Sequence, residues 1–256
     1  MDCVSVPHHI TSIFIPYTIG PPERQGSIGA GIVVGPEATA CVSSETRLIT
    51  GTAEKTLRLL GWRGEPGIRV VDPLPPGAGY SVSASTSLAA GILYASLAGA
   101  SLGRAYMEAH KAEVLSSTGL GDVLALSCGT GIAVRTRPGP PGVGSVDCTP
   151  LPGNIAILSF NVGTESTRDL ISGVWRWMDR AMRRLDRIIE SPSLETFIEE
   201  SQRYTLETGA HRVFRDAERL HRTPGLIGFY FKKRVAVVIV EGGMARDAVE
   251  YLEGLG

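Results

Sequence analysis

Residues 75–85 read PPGAGYSVSAS, and residues 84–98 continue as ASTSLAAGILYASLA. The first run is a glycine turn, and the second is small, largely apolar and free of proline and charge over the length of a buried helix. A turn of this kind that opens straight into a helix gathers backbone N–H groups at the positive end of the helix dipole, which suits a phosphate. Pro76, Gly77, Ala78 and Gly79 would line that loop. The hydroxyls of Ser81, Ser83 and Ser85 would bond phosphate oxygens or ligate a magnesium ion. The same residues also satisfy a plain strand-to-helix turn with serine caps. No GK[ST] follows and the spacing is not GxGxxG, so this is neither a Walker loop nor a dinucleotide turn.

Working outward, short β-type runs at 10–17, 28–34, 38–43 and 68–71 alternate with glycine turns, the pattern of a sheet with tight connections. A short helix is expected at 52–60, and Ser101 is a plausible N-cap for another that runs to Ser116. The cluster RPGPPGVGS at 137–145 is a strong breaker and a candidate boundary between two halves. Beyond it, 154–161 reads as a strand. Leu170, Val174, Trp177, Ala181, Leu185 and Ile188 recur at steps of three or four, which marks a long amphipathic helix. Helices at 194–207 and 210–220, strands at 226–231 and 235–241, and a helix at 244–252 complete an α+β half with its helices on one face.

Composition narrows the function. The 256 residues are 43% hydrophobic and 20% charged, with 25 basic against 26 acidic side chains. No global basic field favours nucleic acid, and no run of like charge suggests a tail. A charged partner must therefore be held by a local site. The longest apolar stretches are strand-sized, which excludes a membrane span, and the start of the chain lacks the pattern of a secretory signal. The four cysteines show no CxxC spacing, so neither a disulfide framework nor structural zinc is expected, and a reducing cytoplasm follows.

Three further residues carry candidate chemistry. His110 and Glu113 lie three apart on one helix face, where Glu113 would hold Mg²⁺ and His110 would touch substrate, or both would form a solvated polar face. Asp122, in the segment STGLGDVLALSC, stands alone among small and apolar neighbours. A lone carboxylate there needs a partner or a chemical role. It is either a base that orients an attacking hydroxyl or a helix N-cap. No GxSxG elbow supports a serine hydrolase.

The order of these pieces resembles the GHMP kinase superfamily, in which a PxGAGLGSSAA loop, a helix with a magnesium-binding Glu and a Gly-x-x-Asp segment follow one another. PPGAGYSVSAS aligns with the loop, Glu113 with the metal ligand and Asp122 with the catalytic aspartate. Two positions depart from the pattern, Ser81 standing for glycine and Val82 for serine. Within the superfamily the block AHKAEVLSSTGLGDV, the run VPHHITSIFIP and the stretch GSIGAGIVV are similar to archaeal pantoate kinases. The resemblance implies an α+β, two-domain GHMP kinase-like fold, with an N-terminal mixed α/β domain (1–150) that carries the phosphate loop and a C-terminal ferredoxin-like α+β domain (151–256). It also implies transfer of phosphate from ATP, with Mg²⁺ held by Ser83 and Glu113, onto pantoate bound by Ser27, His110, Arg135 and Thr167. Arg137 is a rival to Arg135. The implied partners are small molecules, with a homodimer through exposed apolar residues such as Trp175 a further option. The competing readings are another acceptor, such as mevalonate, shikimate or homoserine, and a nucleotide-binding regulatory module that has lost catalysis.

Overall fold

The structure, a computed structural model, describes residues 2–161, 175–214, 217–232 and 234–255. It is an α+β fold built on two antiparallel sheets. The first holds β1 (Cys3–Tyr17), β2 (Gly26–Ser43), β3 (Gly67–Val71), β4 (Gly131–Arg137) and β5 (Ser145–Thr149). Its order is β1-β2-β4-β5, with β3 paired to the distal half of β2. The two runs expected at 28–34 and 38–43 are thus one continuous strand, long enough to serve three neighbours.

One face of this sheet carries α1 (Gly51–Leu59), α2 (Val82–Leu97), α3 (Leu102–Ser116) and the short α4 (Asp122–Leu126). Leu57, Leu88, Leu93, Ala109 and Val123 close a core there with Val33 and Val70. The opposite face packs on the second half of the chain. Ile10, Ile13, Ile28 and Ile32 meet Leu185 and Ile188 of α5 (Met178–Glu190) and Phe197 of α6 (Leu194–Thr208). Covered on both sides, β1 is buried almost without break from His8 to Ile15, and so lacks the alternation of a half-exposed strand.

The second sheet has the order β6-β8-β7, from β6 (Ile155–Asn161), β7 (Leu226–Lys232) and β8 (Val235–Glu241). Alternate residues serve opposite faces. Tyr230, Val237 and Ile239 join the core shared with the first sheet, whereas Phe229, Phe231, Val238 and Val240 pack on Leu220 and on Ala248 of α7 (Ala245–Glu253). Helices therefore flank both faces of this sheet, not one.

Other expectations are corrected. Among the described residues, the helix expected at 210–220 is not formed as an α-helix. Gly209 turns left-handed and ends α6, and the chain continues as 3₁₀ turns at Ala210–Val213 and Ala217–Arg222. Between them Phe214 is extended so that its ring packs on Phe160 and Phe231, and tertiary packing thereby overrides local helix preference. The breaker cluster at 137–145 is the connection between neighbouring strands β4 and β5. Leu170 and Val174, expected to open the long helix, lie outside the described residues. No helix among the described residues is long and apolar enough to cross a membrane.

The cysteine expectation is also corrected. Cys3 pairs with Cys41, directly opposite it in the β1–β2 register, and Cys128 pairs with Cys148, with Cα–Cα separations of 4.1 and 5.6 Å. Sequence spacing is uninformative here, because pairing needs only Cα atoms brought close by strand register. The bridges span 38 and 20 residues, and on a chain-entropy account each contributes roughly 3 to 4 kcal/mol. Protein purified without reductant and then denatured should show no reactive thiol, and four after reduction. Cys128→Ser with Cys148→Ser should lower Tm by roughly 10 °C.

Candidate active site

The segment from Thr118 to Asp122 is where the side chains of several elements meet. A Cβ added to Gly119 would lie 1.9 Å from Glu113 Oε2 and 3.2 Å from Asp122 Oδ2, so the two carboxylates converge on one small space. A Cβ on Gly121 would lie 2.3 Å from Ser27 Oγ and 3.1 Å from both Cζ and Nε of Arg135. Glycine at these two positions leaves the room that β2, β4, α3 and α4 fill with polar groups.

Asp122 is the first residue of α4, behind Gly121 as N-cap. Its carboxylate makes no cap. Instead Oδ1 accepts from His9 Nδ1 at 2.7 Å and from Thr11 Oγ1 at 3.3 Å, both on β1. Burial by itself raises the Asp122 pKa, but the hydrogen bond from His9 and the fields of His9, Lys232 and Arg135 win and hold it well below the carboxylate range. Burial lowers His9 to about 4, against the raising influence of Asp122. We therefore read the pair as a neutral imidazole that donates from Nδ1 to an ionised carboxylate.

Arg135 is 1% exposed, and its Nε and Nη2 have no hydrogen-bond partner among the described residues. Burial lowers it to about 10, with the charge of Asp122 opposing, so it remains a cation at neutral pH. A desolvated guanidinium with unused donors is costly unless an anion completes it. Arg137, its rival, is exposed. Ser27 is buried beside it. His110 is buried too, but its Nε2 faces the carbonyl of Gln25 at 2.9 Å. It anchors the turn that delivers Ser27, and burial lowers its pKa despite the bonds to the Gln25 and Pro22 backbone.

The glycine turn expected to hold phosphate also differs from the expectation in its details. Ser81 takes the left-handed conformation that glycine would favour (φ 57°), and its hydroxyl accepts from the His9 backbone N–H at 2.8 Å. Ser85 is fully buried and donates to Pro7 O at 2.7 Å. Both hydroxyls tie α2 to β1. Ser83, in the first turn of α2, is the serine of the three that is not buried against β1 by such a bond. Gly77 and Gly79 have positive φ, and a Cβ on Gly79 would lie 3.1 Å from Lys232 O. The loop, with Pro76 and Ala78, thus runs against β7. Thr167 lies outside the described residues.

Three contributors are not picked out by the sequence patterns: His9, Thr11 and Lys232. Lys232 Nζ sits 4.7 Å from the Phe14 ring centroid, and its charge acts on both His9 and Asp122. The run VPHHITSIFIP held a signal, adjacent histidines inside an apolar strand.

The donor set fits a magnesium ion. Glu113 presents a hard carboxylate oxygen to this space, and Mg²⁺ commonly takes one or two carboxylates and leaves its other positions to hydroxyls, water and phosphate. Among the described residues no cluster of three or more His, Cys, Asp or Glu offers an all-protein cage.

No family model matches the chain. It is 29% identical over 231 residues to a pantoate kinase of Thermococcus kodakarensis, which covers 80% of this chain and 75% of that one. A solved structure described as a phosphotransferase related to the CoA biosynthesis pathway superposes with a TM-score of 0.80 at 22% identity, over 99% of this chain and 92% of the other. The mevalonate kinase of Methanococcus jannaschii superposes with a TM-score of 0.64 at 12% identity, over 98% and 94%. The fold is GHMP kinase-like, and the sequence is similar to those of archaeal pantoate kinases.

The His9 shift fixes a sign for stability against pH. Between its ordinary 6.5 and its folded value of about 4, the unfolded chain binds a proton that the folded chain does not. His9 therefore lowers stability as pH falls through that window, by up to roughly 3 kcal/mol. The Asp122 contribution is lost only in stronger acid. Urea unfolding at pH 6.5 and pH 4.5 should show a smaller loss for His9→Asn than for the wild type.

Proposed function

We propose that this enzyme transfers the γ-phosphoryl group of ATP to a hydroxyl of pantoate, giving 4-phosphopantoate for coenzyme A synthesis. The observation that carries this reading is the buried Arg135, whose unused donors stand beside Ser27 and near Asp122. An acceptor with a carboxylate would complete the guanidinium through two parallel bonds, and would thereby hold its hydroxyl toward Asp122. Pantoate has that carboxylate, and the name carried by the sequence relatives supports the choice.

In this reading the acceptor is gripped at Arg135 and Ser27, with His110 fixing the Gln25–Ser27 turn. Asp122 Oδ2 orients the hydroxyl and takes its proton as the bond to phosphorus forms. Pro76 to Gly79 and the N-terminus of α2 receive the ATP phosphates. Ser83 and Glu113 would hold Mg²⁺, which when bound neutralises phosphate charge. Residues 1–150 would bind nucleotide and 151–256 would close the site, with Lys232 brought to the loop by β7. Phosphoryl transfer asks mainly for positioning and charge neutralisation, which this arrangement supplies. The ATP requirement makes the cytoplasm the working compartment.

Magnesium-dependent ADP formation should be seen with D-pantoate and not with mevalonate, homoserine or shikimate. Turnover with one of those three instead would keep the kinase and overturn the acceptor. Asp122→Ala and Glu113→Ala should each lower kcat by roughly 100-fold or more in the folded protein, and near-normal turnover would remove that residue from the mechanism. Arg135→Met should raise the pantoate KM by roughly 100-fold without lowering Tm, since it also removes a buried unpaired charge.

A further inference from the structure

The acceptor-facing carboxylate stands on a weak support. Asp122 begins a helix of five residues, and Gly119 and Gly121 precede it. Backbone alone does not fix so short an element behind two glycines. Its side chain is fixed from β1 instead.

We propose that His9 is a positioning residue for phosphoryl transfer, holding Asp122 in its reactive orientation while its own backbone anchors the phosphate loop. The proposal rests on the reading of Asp122 as the carboxylate that faces the acceptor. His9 Nδ1 lies 2.7 Å from Asp122 Oδ1, and Thr11 Oγ1 adds a second donor at 3.3 Å. With Oδ1 engaged, Oδ2 is turned toward Gly119 and Glu113 and becomes the oxygen available to the acceptor.

The imidazole is held by packing. It is fully buried, and its Nε2 has no partner among the described residues and lies against Gly31, where a Cβ would stand only 2.3 Å away. A side chain at position 31 is not accommodated. A neutral ring has one N–H, and here it is spent on Asp122. The groups that face Asp122 are His9 and Thr11 from β1, Glu113 from α3, Arg135 from β4 and Lys232 from β7.

The main chain of the same residue reaches the phosphate loop. His9 N–H donates to Ser81 Oγ at 2.8 Å, in the left-handed residue that turns the loop into α2. Two residues earlier, Pro7 O accepts from Ser85 Oγ at 2.7 Å. The position of the carboxylate and the position of the loop are thus set by one residue of β1, which fixes the separation that in-line transfer requires.

The test is a set of His9 variants assayed on the full chain with ATP, Mg²⁺ and D-pantoate. His9→Leu removes the donor but keeps the backbone bond to Ser81. It should lower kcat by roughly 100-fold while KM for ATP and for pantoate stay within about two-fold. His9→Asn places an N–H near the position of Nδ1 and should recover kcat to within about ten-fold of wild type, whereas His9→Gln places it near Nε2 and should not. In an Asp122→Asn background, His9→Leu should cause no further loss, because its effect passes through the carboxylate. Wild-type kcat in His9→Leu, an equal further loss in the Asp122→Asn background, or equal rates for the Asn and Gln variants would each overturn the proposal. If His9→Leu does not fold, the Asn–Gln comparison carries the test. Wild-type kcat in Asp122→Asn alone would bring down the catalytic reading of Asp122, a result distinct from any failure confined to His9.

Discussion

Two missing Cβ atoms set the geometry of this site. Position 119 admits the carboxylates of Glu113 and Asp122, and position 121 admits Ser27 and the guanidinium of Arg135. The groups arrive from a helix, two strands and a helix start that are distant in sequence, so the site exists only if those elements pack closely. That closeness is supplied by the first sheet, with helices α1 to α4 on one face and the second half of the chain on the other. The glycines therefore turn ordinary core packing into a place where opposite charges meet in a largely buried space. In that low-dielectric setting each charge acts on its neighbours far more strongly than at the surface.

The strand β1 is the reference against which the parts are placed. Its residues 7–9 hold Ser85 through Pro7 O, Ser81 through the His9 N–H and Asp122 through the His9 ring. The neighbouring His8 points to the other side of the strand. There its Nε2 meets the buried Asp72 at 2.9 Å and its Nδ1 faces Pro36 O at 2.5 Å. Asp72 also accepts from Leu74 N at 2.8 Å, where the chain enters the glycine turn at 75–81. Two adjacent histidines with opposite directions, as strand geometry dictates, thus fix both the entrance of the loop and the carboxylate at its far side. Tyr230, whose hydroxyl donates to Ile10 O, extends the same strand's reach to β7.

Much of this was legible in the sequence because it rests on local patterns. A glycine turn before a small apolar helix, an acidic residue on the next helix and an aspartate after glycines are short-range signals, and the structure brings Glu113 and Asp122 together and Ser27 and Arg135 together. What was not legible depends on long-range register. His9 and Asp122 are 113 residues apart, and a histidine inside an apolar strand carries no mark of its partner. The same holds for Cys3 with Cys41, which only strand pairing places opposite each other. Ser81 and Ser85 read as phosphate ligands, yet each is bonded to β1, and nothing local distinguishes a hydroxyl that faces a ligand from one that faces a carbonyl. The lost helix at 210–220 has the same origin, since Phe214 follows its aromatic neighbours and not its own segment.

At the centre stands a buried cation whose Nε and Nη2 have no hydrogen-bond partner among the described residues, and the proposed acceptor would supply one. The most direct measurement is the ratio of kcat/KM for D-pantoate to that for its carboxamide, which keeps the shape and hydroxyls but not the charge. A preference of roughly 100-fold or more for the acid is predicted, because the amide would leave the unused guanidinium donors without a charged partner of their own. Equal turnover of the two would contradict the assignment of Arg135 to the acceptor, and with it the reading of the site.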